Sequence, residues 1–366
     1  MFKMMFSLNS GLSIIWCHLH LILFLASLAP FTAAIPTKRL HNDTRITPRL
    51  AGEFRIMNCD SAQKAAINAA LSEIVTITGI VSNRVLDLYD LMNVNGDPDF
   101  AAFTAIDQST YDTFETVFGV ELYSLGVNPL GIDALNVFND ICQKLYYGTS
   151  NIQGQSLDIW CGDSWQTTTN DQGDYYILAD GSIDTDYLWD NSGSGLGWII
   201  PHANIEGPYT CENPNTGDLA GYTGNRKSED VSITTLCNEI IDRMIASGAS
   251  LTSQAGTAYA LNAISLDQIA DNSLTLLLIH ELTHTYALMG MDDVCHDYSY
   301  GEDLAYGWQG ITALAAQSTA DAIFNADSIT FFMAAMYLSK NTWWTGLSMP
   351  LTDSAVYEEG ITFQSQ

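Results

Sequence analysis

The feature that most constrains the fold is a strongly apolar run that leads directly into two histidines. Residues 274–279 read Leu-Thr-Leu-Leu-Leu-Ile, and residues 280–284 read His-Glu-Leu-Thr-His. An apolar run of this kind is typical of a helix packed in a protein core. The four-residue spacing puts both imidazoles on one face of that helix, one turn apart. The chain is therefore expected to bury a helix that carries two metal-binding side chains.

The same five residues indicate a chemistry. His280 and His284 can bind one zinc ion, which keeps an open coordination position when the protein supplies three ligands. Glu281 follows the first histidine, where its carboxylate can take a proton from an activated water. The pattern predicts metal-assisted hydrolysis, with Zn²⁺ as cofactor and Glu281 as general base.

The third ligand is less constrained by the sequence. A histidine six residues after His284 would complete one known zinc pattern, but Ala287 and Gly290 occupy the positions where that pattern needs glycine and histidine. From the residues alone, four downstream side chains remain candidates: Asp293, His296, Glu302 and Asp303.

The segment Asp303-Leu304-Ala305-Tyr306-Gly307 resembles the second signature of the deuterolysin family, the fungal secreted aspzincins. That signature reads Gly-Thr-x-Asp-x-x-Tyr-Gly; its threonine is absent here. The resemblance implies that Asp303 is the third zinc ligand and that the Tyr306 hydroxyl stabilises the oxyanion. It also implies a substrate-binding role for Asp327, since Asn325-Ala326-Asp327 resembles a helix start near the substrate pocket of family members.

The resemblance extends over residues 231–338 and implies an α+β, zincin-like metallopeptidase fold. We expect a helical N-terminal part, an antiparallel sheet and the active-site helix, which the apolar pattern extends from Asp271 or Asn272 to about Leu288. Apolar residues at helical spacing from Asp60 onward fit the first part. Residues 150–230 are rich in glycine, turn residues and aromatic residues, so we interpret them as a loop- and strand-rich insertion.

The N-terminus is typical of a secreted protein. Lys3 precedes an apolar run and small residues at 29 and 34, which predicts a cleaved signal peptide over 1–34. Residues 35–58 hold a basic pair and a glycosylation sequon at Asn42, which predicts a pro-segment or linker. Residues 59–366 then form the catalytic domain. We expect no later segment to be long and apolar enough to span a bilayer.

Cysteine usage supports the same compartment. Of seven cysteines, the one at position 17 lies inside the predicted signal. The other six form an even set, which predicts three disulfides of undetermined pairing in a secreted chain. The six are Cys59, Cys142, Cys161, Cys211, Cys237 and Cys295.

The charge excludes some partners. The chain has 42 acidic residues against 13 lysines and arginines, and its formal net charge is −29. Such a surface repels nucleic acid and anionic membranes. It is typical of solubility in an acidic medium, and it also favours basic polypeptides as partners. We therefore predict a secreted, monomeric zinc endopeptidase that acts on protein or peptide substrates.

Two other functions fit some of these features. One is a secreted zinc-binding surface protein or antigen on the same fold, which the intact Glu281 disfavours. The other is an extracellular binding module that uses the tryptophans of the insertion as contacts. Tryptophans of this kind belong more often to a core.

Overall fold

A computed structural model provides the structure of the protein. It describes residues 54–91, 99–120, 129–148, 156–184, 187–192, 197–199, 211, 219–226, 231–301 and 303–351. These residues belong to one compact unit, residues 48–366. The predicted signal peptide, the sequon at Asn42 and most of the predicted pro-segment lie outside the described residues.

Helices and strands both contribute, so the α+β class is confirmed at that level. The helices are α1 (Ser61–Leu91), α2 (Ala105–Phe118), α3 (Pro129–Tyr146), α4 (Asn238–Ser247), α5 (Leu251–Ala255), α6 (Leu266–Ala270), α7 (Leu274–Thr283), α8 (Tyr286–Met289), α9 (Gly307–Gln317), α10 (Thr319–Ala322) and α11 (Ala326–Tyr337). The strands are β1 (Arg55–Met57), β2 (Ser156–Cys161), β3 (Gln166–Thr167), β4 (Tyr176–Ile177), β5 (Ile183–Asp184), β6 (Leu188–Asp190), β7 (Trp198–Ile199), β8 (Gly221–Arg226), β9 (Val231–Leu236), β10 (Ser299–Tyr300), β11 (Asp303–Leu304), β12 (Asn341–Thr342) and β13 (Met349–Pro350).

The main sheet is mixed and not antiparallel as predicted. Its order is β1-β2-β9-β8; β2 pairs in parallel with both β1 and β9, while β8 pairs antiparallel with β9. Parallel neighbours need a long crossover, and three helices separate β1 from β2 while the insertion separates β2 from β9. The antiparallel prediction holds for the small sheets of the insertion, β3-β6-β7 and β4-β5.

The long helix α1 runs through the hydrophobic core and packs against α3, α7 and α11. Within the described residues, it is also the helix that is long and apolar enough to cross a bilayer. The expectation that no segment after the signal has these properties is therefore wrong. Half of the most apolar window of α1 is buried inside the fold, however, and a core helix of a soluble protein meets the same test.

The active-site helix α7 is shorter than the apolar pattern predicts. The Ser273 side chain caps its start by accepting the amide of Leu276, and its last helical residue is Thr283. Beyond that point Asn225 donates to the His284 carbonyl, which takes an acceptor away from a continuing helix. His284 still has near-helical backbone angles, φ −80° and ψ −7°, so its imidazole remains one turn from that of His280.

Two disulfides are present among the described residues, Cys59–Cys161 and Cys211–Cys237, and the prediction of three is wrong. Cys142 and Cys295 are free and buried, and burial raises the pKa of the Cys295 thiol to about 12. The loop before Cys295 is held by another contact. Lys144 of α3 forms an ion pair with Asp293 at 2.6 Å.

Candidate metal and catalytic site

His280 of α7 and His284, the residue that caps the end of this helix, lie in a cleft of about 950 Å³ between the edge of the main sheet and the C-terminal helices. Its walls combine acidic, polar and apolar side chains from several elements. They include Thr223, Asp267, Asp271, Glu281, Tyr306 and Asp327.

Hydrogen bonds fix the tautomer of each histidine. Nδ1 of His284 lies 2.9 Å from the carbonyl oxygen of Cys295, which can only accept, so this nitrogen carries the proton. Nδ1 of His280 lies 2.7 Å from a carboxylate oxygen of Asp327 and donates in the same way. In the neutral rings both Nε2 atoms therefore present lone pairs to the cleft. This is the state that a metal ligand needs.

Asp297 completes a group of three ligand atoms. Its Oδ1 lies 3.3 Å from Nε2 of His280 and 3.4 Å from Nε2 of His284, and the two nitrogens are 3.2 Å apart. Zinc bonds of roughly 2.0–2.1 Å in a tetrahedron separate ligand atoms by roughly 3.3–3.4 Å. Asp297 Oδ1 is buried and has no hydrogen-bond partner among the described residues. Three acceptor atoms this close repel one another unless a cation or a proton lies between them, so the group fits zinc.

The electrostatics agree with a cation site. Burial raises the pKa of Asp297, but His284 and His280 outweigh burial and hold that pKa well below its usual range. Burial lowers the pKa of His280, but Asp297 and Asp327 outweigh it and raise the pKa well above its usual value. The carboxylates therefore favour positive charge at the histidines.

The structure groups Asp297, and not the predicted Asp303, with the two histidines. Asp303 is exposed in β11, where it pairs with Tyr300 of β10. The β10–β11 hairpin lies between Asp297 and Tyr306 and turns Asp303 away from the cleft. Asp293 is bound to Lys144, and His296 is not in the ligand group. The remaining candidate, Glu302, lies outside the described residues.

A sequence signal for Asp297 was available. Asp297-Tyr298-Ser299-Tyr300-Gly301 is a second copy of the Asp-x-x-Tyr-Gly pattern, closer to His284 than the copy that begins at Asp303. Both copies contribute a residue to the cleft. Asp297, which is grouped with the histidines, belongs to the first copy, and Tyr306, which lines the cleft, belongs to the second. The β10–β11 hairpin lies between the grouped aspartate and the tyrosine that lines the cleft.

Glu281 is buried beside the histidines with 3% of its surface exposed. The Thr223 hydroxyl on β8 donates to its Oε2 at 2.8 Å. Burial raises the pKa of Glu281, while His280, His284 and this hydrogen bond act in the opposite direction. A buried carboxylate with one oxygen held by a hydroxyl has the properties of a general base.

Tyr306 and Asp327 are further neighbours of His280. Tyr306 is 44% exposed and lines the cleft, and the centroid of its ring lies 6.0 Å from that of His280. Asp327 uses one carboxylate oxygen for His280 and the other for the backbone amide of Gly307, at 2.8 Å. Asp327 therefore orients His280, and its predicted role in substrate binding remains a prediction.

Two imidazoles and a carboxylate at the floor of an open cleft, with a buried glutamate beside them, define the class of helix-borne zinc sites found in metallopeptidases. A family model described as Aspzincin_M35, lysine-specific metallo-endopeptidase, matches residues 251–334. The matched segment includes α7, Asp297, Tyr306 and Asp327, so the resemblance to the aspzincin family of zinc metallopeptidases is confirmed over the part of the chain that builds the site. No curated protein matches the chain in sequence.

Proposed function

We propose that this protein is a secreted zinc-dependent endopeptidase with His280, His284 and Asp297 as its metal ligands. The observation that carries the proposal is the group of three acceptor atoms at zinc-like separations, placed beside the buried Glu281. The aspzincin match supports the same chemistry.

Glu281 is the general base. A zinc ion in this site would supply Lewis acidity, which polarises a peptide carbonyl and promotes the ionisation of water. Glu281 takes the proton of the attacking water and later delivers it to the leaving amine. The Thr223 hydroxyl holds Oε2 and leaves the other carboxylate oxygen for this transfer. The Tyr306 hydroxyl donates to the carbonyl oxygen as negative charge develops there.

Strand β8 supports a peptide substrate. Among the described strands it forms one edge of the main sheet, and four of its residues, Gly221, Tyr222, Thr223 and Asn225, line the cleft. An exposed strand edge offers amide and carbonyl groups to an extended peptide. A substrate that pairs with β8 would lie close to α7, which packs against β8 and carries His280 and Glu281.

Charge and cysteines support the proposed substrate and location. Asp271 is exposed in the cleft wall and belongs to a strongly acidic chain, which favours basic polypeptides. Two disulfides fit an oxidising compartment outside the cell. The proposed protein acts as a monomer, without nucleic acid and without a stable membrane association.

The first experiment compares the wild type with Glu281→Gln in zinc content and in cleavage of a basic protein. We expect both to bind zinc and only the wild type to cleave. The general base contributes about 10²–10⁴-fold in rate, so the loss in the variant is readily measured. Zinc binding by a wild type that cleaves nothing would overturn the enzyme assignment and favour a zinc-binding surface protein.

A matched pair of variants tests the third ligand. Asp297→Ala and Asp303→Ala each remove the aspartate of one Asp-x-x-Tyr-Gly copy. Asp297→Ala is expected to lose bound zinc, since it removes one of three ligand atoms. Asp303→Ala is expected to retain zinc, because Asp303 is exposed in the hairpin. The reverse pattern would restore Asp303 as the ligand.

A further inference from the structure

Two carboxylates from different helices hold the start of α9, which follows Tyr306 directly. The Gly307 amide donates to Oδ2 of Asp327, and the Trp308 amide donates to Oδ1 of Asp267, both at 2.8 Å. Tyr306 occupies the N-cap position, but its own side chain makes no capping hydrogen bond. Acceptors from α11 and α6 therefore serve amides that the helix cannot satisfy itself.

Gly307 makes the approach of Asp267 possible. Its φ of +66° lies in the left-handed region that glycine adopts readily. A Cβ at this position would stand 2.7 Å from Oδ1 of Asp267 and would displace the carboxylate. The absence of a side chain at Gly307 therefore allows Asp267 of α6 to reach the start of α9.

This contact bears on the site because Tyr306 lies beside His280, with ring centroids 6.0 Å apart. Asp327 links α9 to His280, so a change at Asp327 affects a proposed metal ligand and the helix start together. Asp267 meets α9 at Trp308 and supplies none of the three grouped ligand atoms. It can therefore be changed without removing a ligand of the metal or the partner of His280.

We propose that Asp267 is a positioning residue, which fixes the start of α9 and thereby holds the Tyr306 hydroxyl in place for the reaction. The proposal rests on the proposed function, in which Tyr306 assists the developing oxyanion. The competing role for a carboxylate in this cleft wall is to bind a basic substrate side chain. Positioning needs a hydrogen-bond acceptor, whereas binding a cation needs negative charge, so an amide in place of the carboxylate separates the two roles.

The experiment measures kcat, KM and zinc content for the wild-type holoenzyme, Asp267→Ala and Asp267→Asn with a basic peptide substrate. Asp267→Ala is expected to lower kcat by about 10- to 100-fold, the effect of misplacing a catalytic group by an ångström or less. Its KM and zinc content are expected to stay unchanged. Asp267→Asn is expected to retain most of the activity, because its Oδ1 still accepts the Trp308 amide.

Asp60→Ala is the matched control. Asp60 is also a carboxylate that caps a helix, since its Oδ1 accepts the amides of Ala62 and Gln63 at the start of α1. These residues do not line the cleft. The control is expected to keep the wild-type kcat, which separates loss of a helix cap in general from loss of this one.

A double-variant cycle tests whether Asp267 acts through Tyr306. Tyr306→Phe is expected to lower kcat, and adding Asp267→Ala to it is expected to lower kcat little further. Losses that multiply would overturn the proposal, as would a large loss in folded Asp267→Asn with a raised KM for the basic peptide. An active wild type with an equally active Asp267→Ala overturns this proposal alone, whereas an inactive wild type overturns the proposed function.

Discussion

Thr223 contacts the proposed general base directly and takes no part in the proposed reaction. Its hydroxyl donates to Oε2 of Glu281, and hydrogen bonds to charged groups contribute about 1.5–3 kcal/mol. Thr223→Val keeps the side-chain shape and removes the donor, so kcat is expected to fall by at least about tenfold. Thr223→Ser keeps the hydroxyl and is expected to stay close to the wild type. Equal activity of the two variants would show that Glu281 needs no such orientation.

The raised pKa of His280 predicts that zinc binding depends on pH. Burial lowers its pKa, but Asp297 and Asp327 outweigh burial and raise that pKa well above its ordinary value. In the metal-free protein the raised pKa favours a proton on His280, and a metal ion must displace that proton. Zinc affinity is therefore expected to rise with pH by up to about tenfold per unit, until the pH exceeds the raised pKa. Competition with a chelator of known affinity measures this, and a pH-independent affinity would contradict it.

At the level of helices and strands, the sequence predicted the features that depend on the local pattern of apolar residues. The apolar run before His280 placed the active-site helix and both histidines, because helical spacing determines which side chains share a face. The structure differs from these predictions at places where the chain changes direction. The structure groups Asp297 rather than Asp303 with the histidines, since Asp303 lies in the β10–β11 hairpin. The helix α7 ends before Leu288, where Asn225 donates to the His284 carbonyl. The hairpin pairs residues only three to five positions apart, whereas Asn225 and His284 are 59 positions apart; hydrophobic periodicity reveals neither contact.

The two disulfides close loops of different length, so we expect them to contribute unequally to stability. Cys59–Cys161 joins the end of β2 to the start of α1 across 102 residues, whereas Cys211–Cys237 spans 26. In the chain-entropy description the longer loop constrains the unfolded state more. Replacing both cysteines of the longer pair by alanine should lower the free energy of unfolding by about 4–5 kcal/mol, about 1 kcal/mol more than for the shorter pair. Urea denaturation of the two double variants checks this, and an equal or reversed order would contradict it.

For the whole molecule, the composition predicts the net charge but not which acidic side chains are exposed to a substrate. The excess of acids was evident from composition. The structure shows that some acids are used internally: Asp327 binds His280, Asp267 binds the start of α9, and Asp297 faces both histidines. Asp271, in contrast, remains exposed in the cleft wall. Only acids of this second kind are available to attract a substrate.

The charge of the whole chain therefore predicts how salt affects cleavage. A net charge of −29 attracts a cationic peptide over distances that salt screens, since the Debye length shortens from about 30 Å at 0.01 M salt to about 8 Å at 0.15 M. Over this range kcat/KM for a lysine-rich peptide is expected to fall by about tenfold, while a neutral peptide of the same length changes little. Asp271→Asn removes one exposed acid from the cleft and should weaken the salt dependence for the cationic peptide alone. If both peptides respond equally to salt, the acidic surface serves solubility and does not select the substrate.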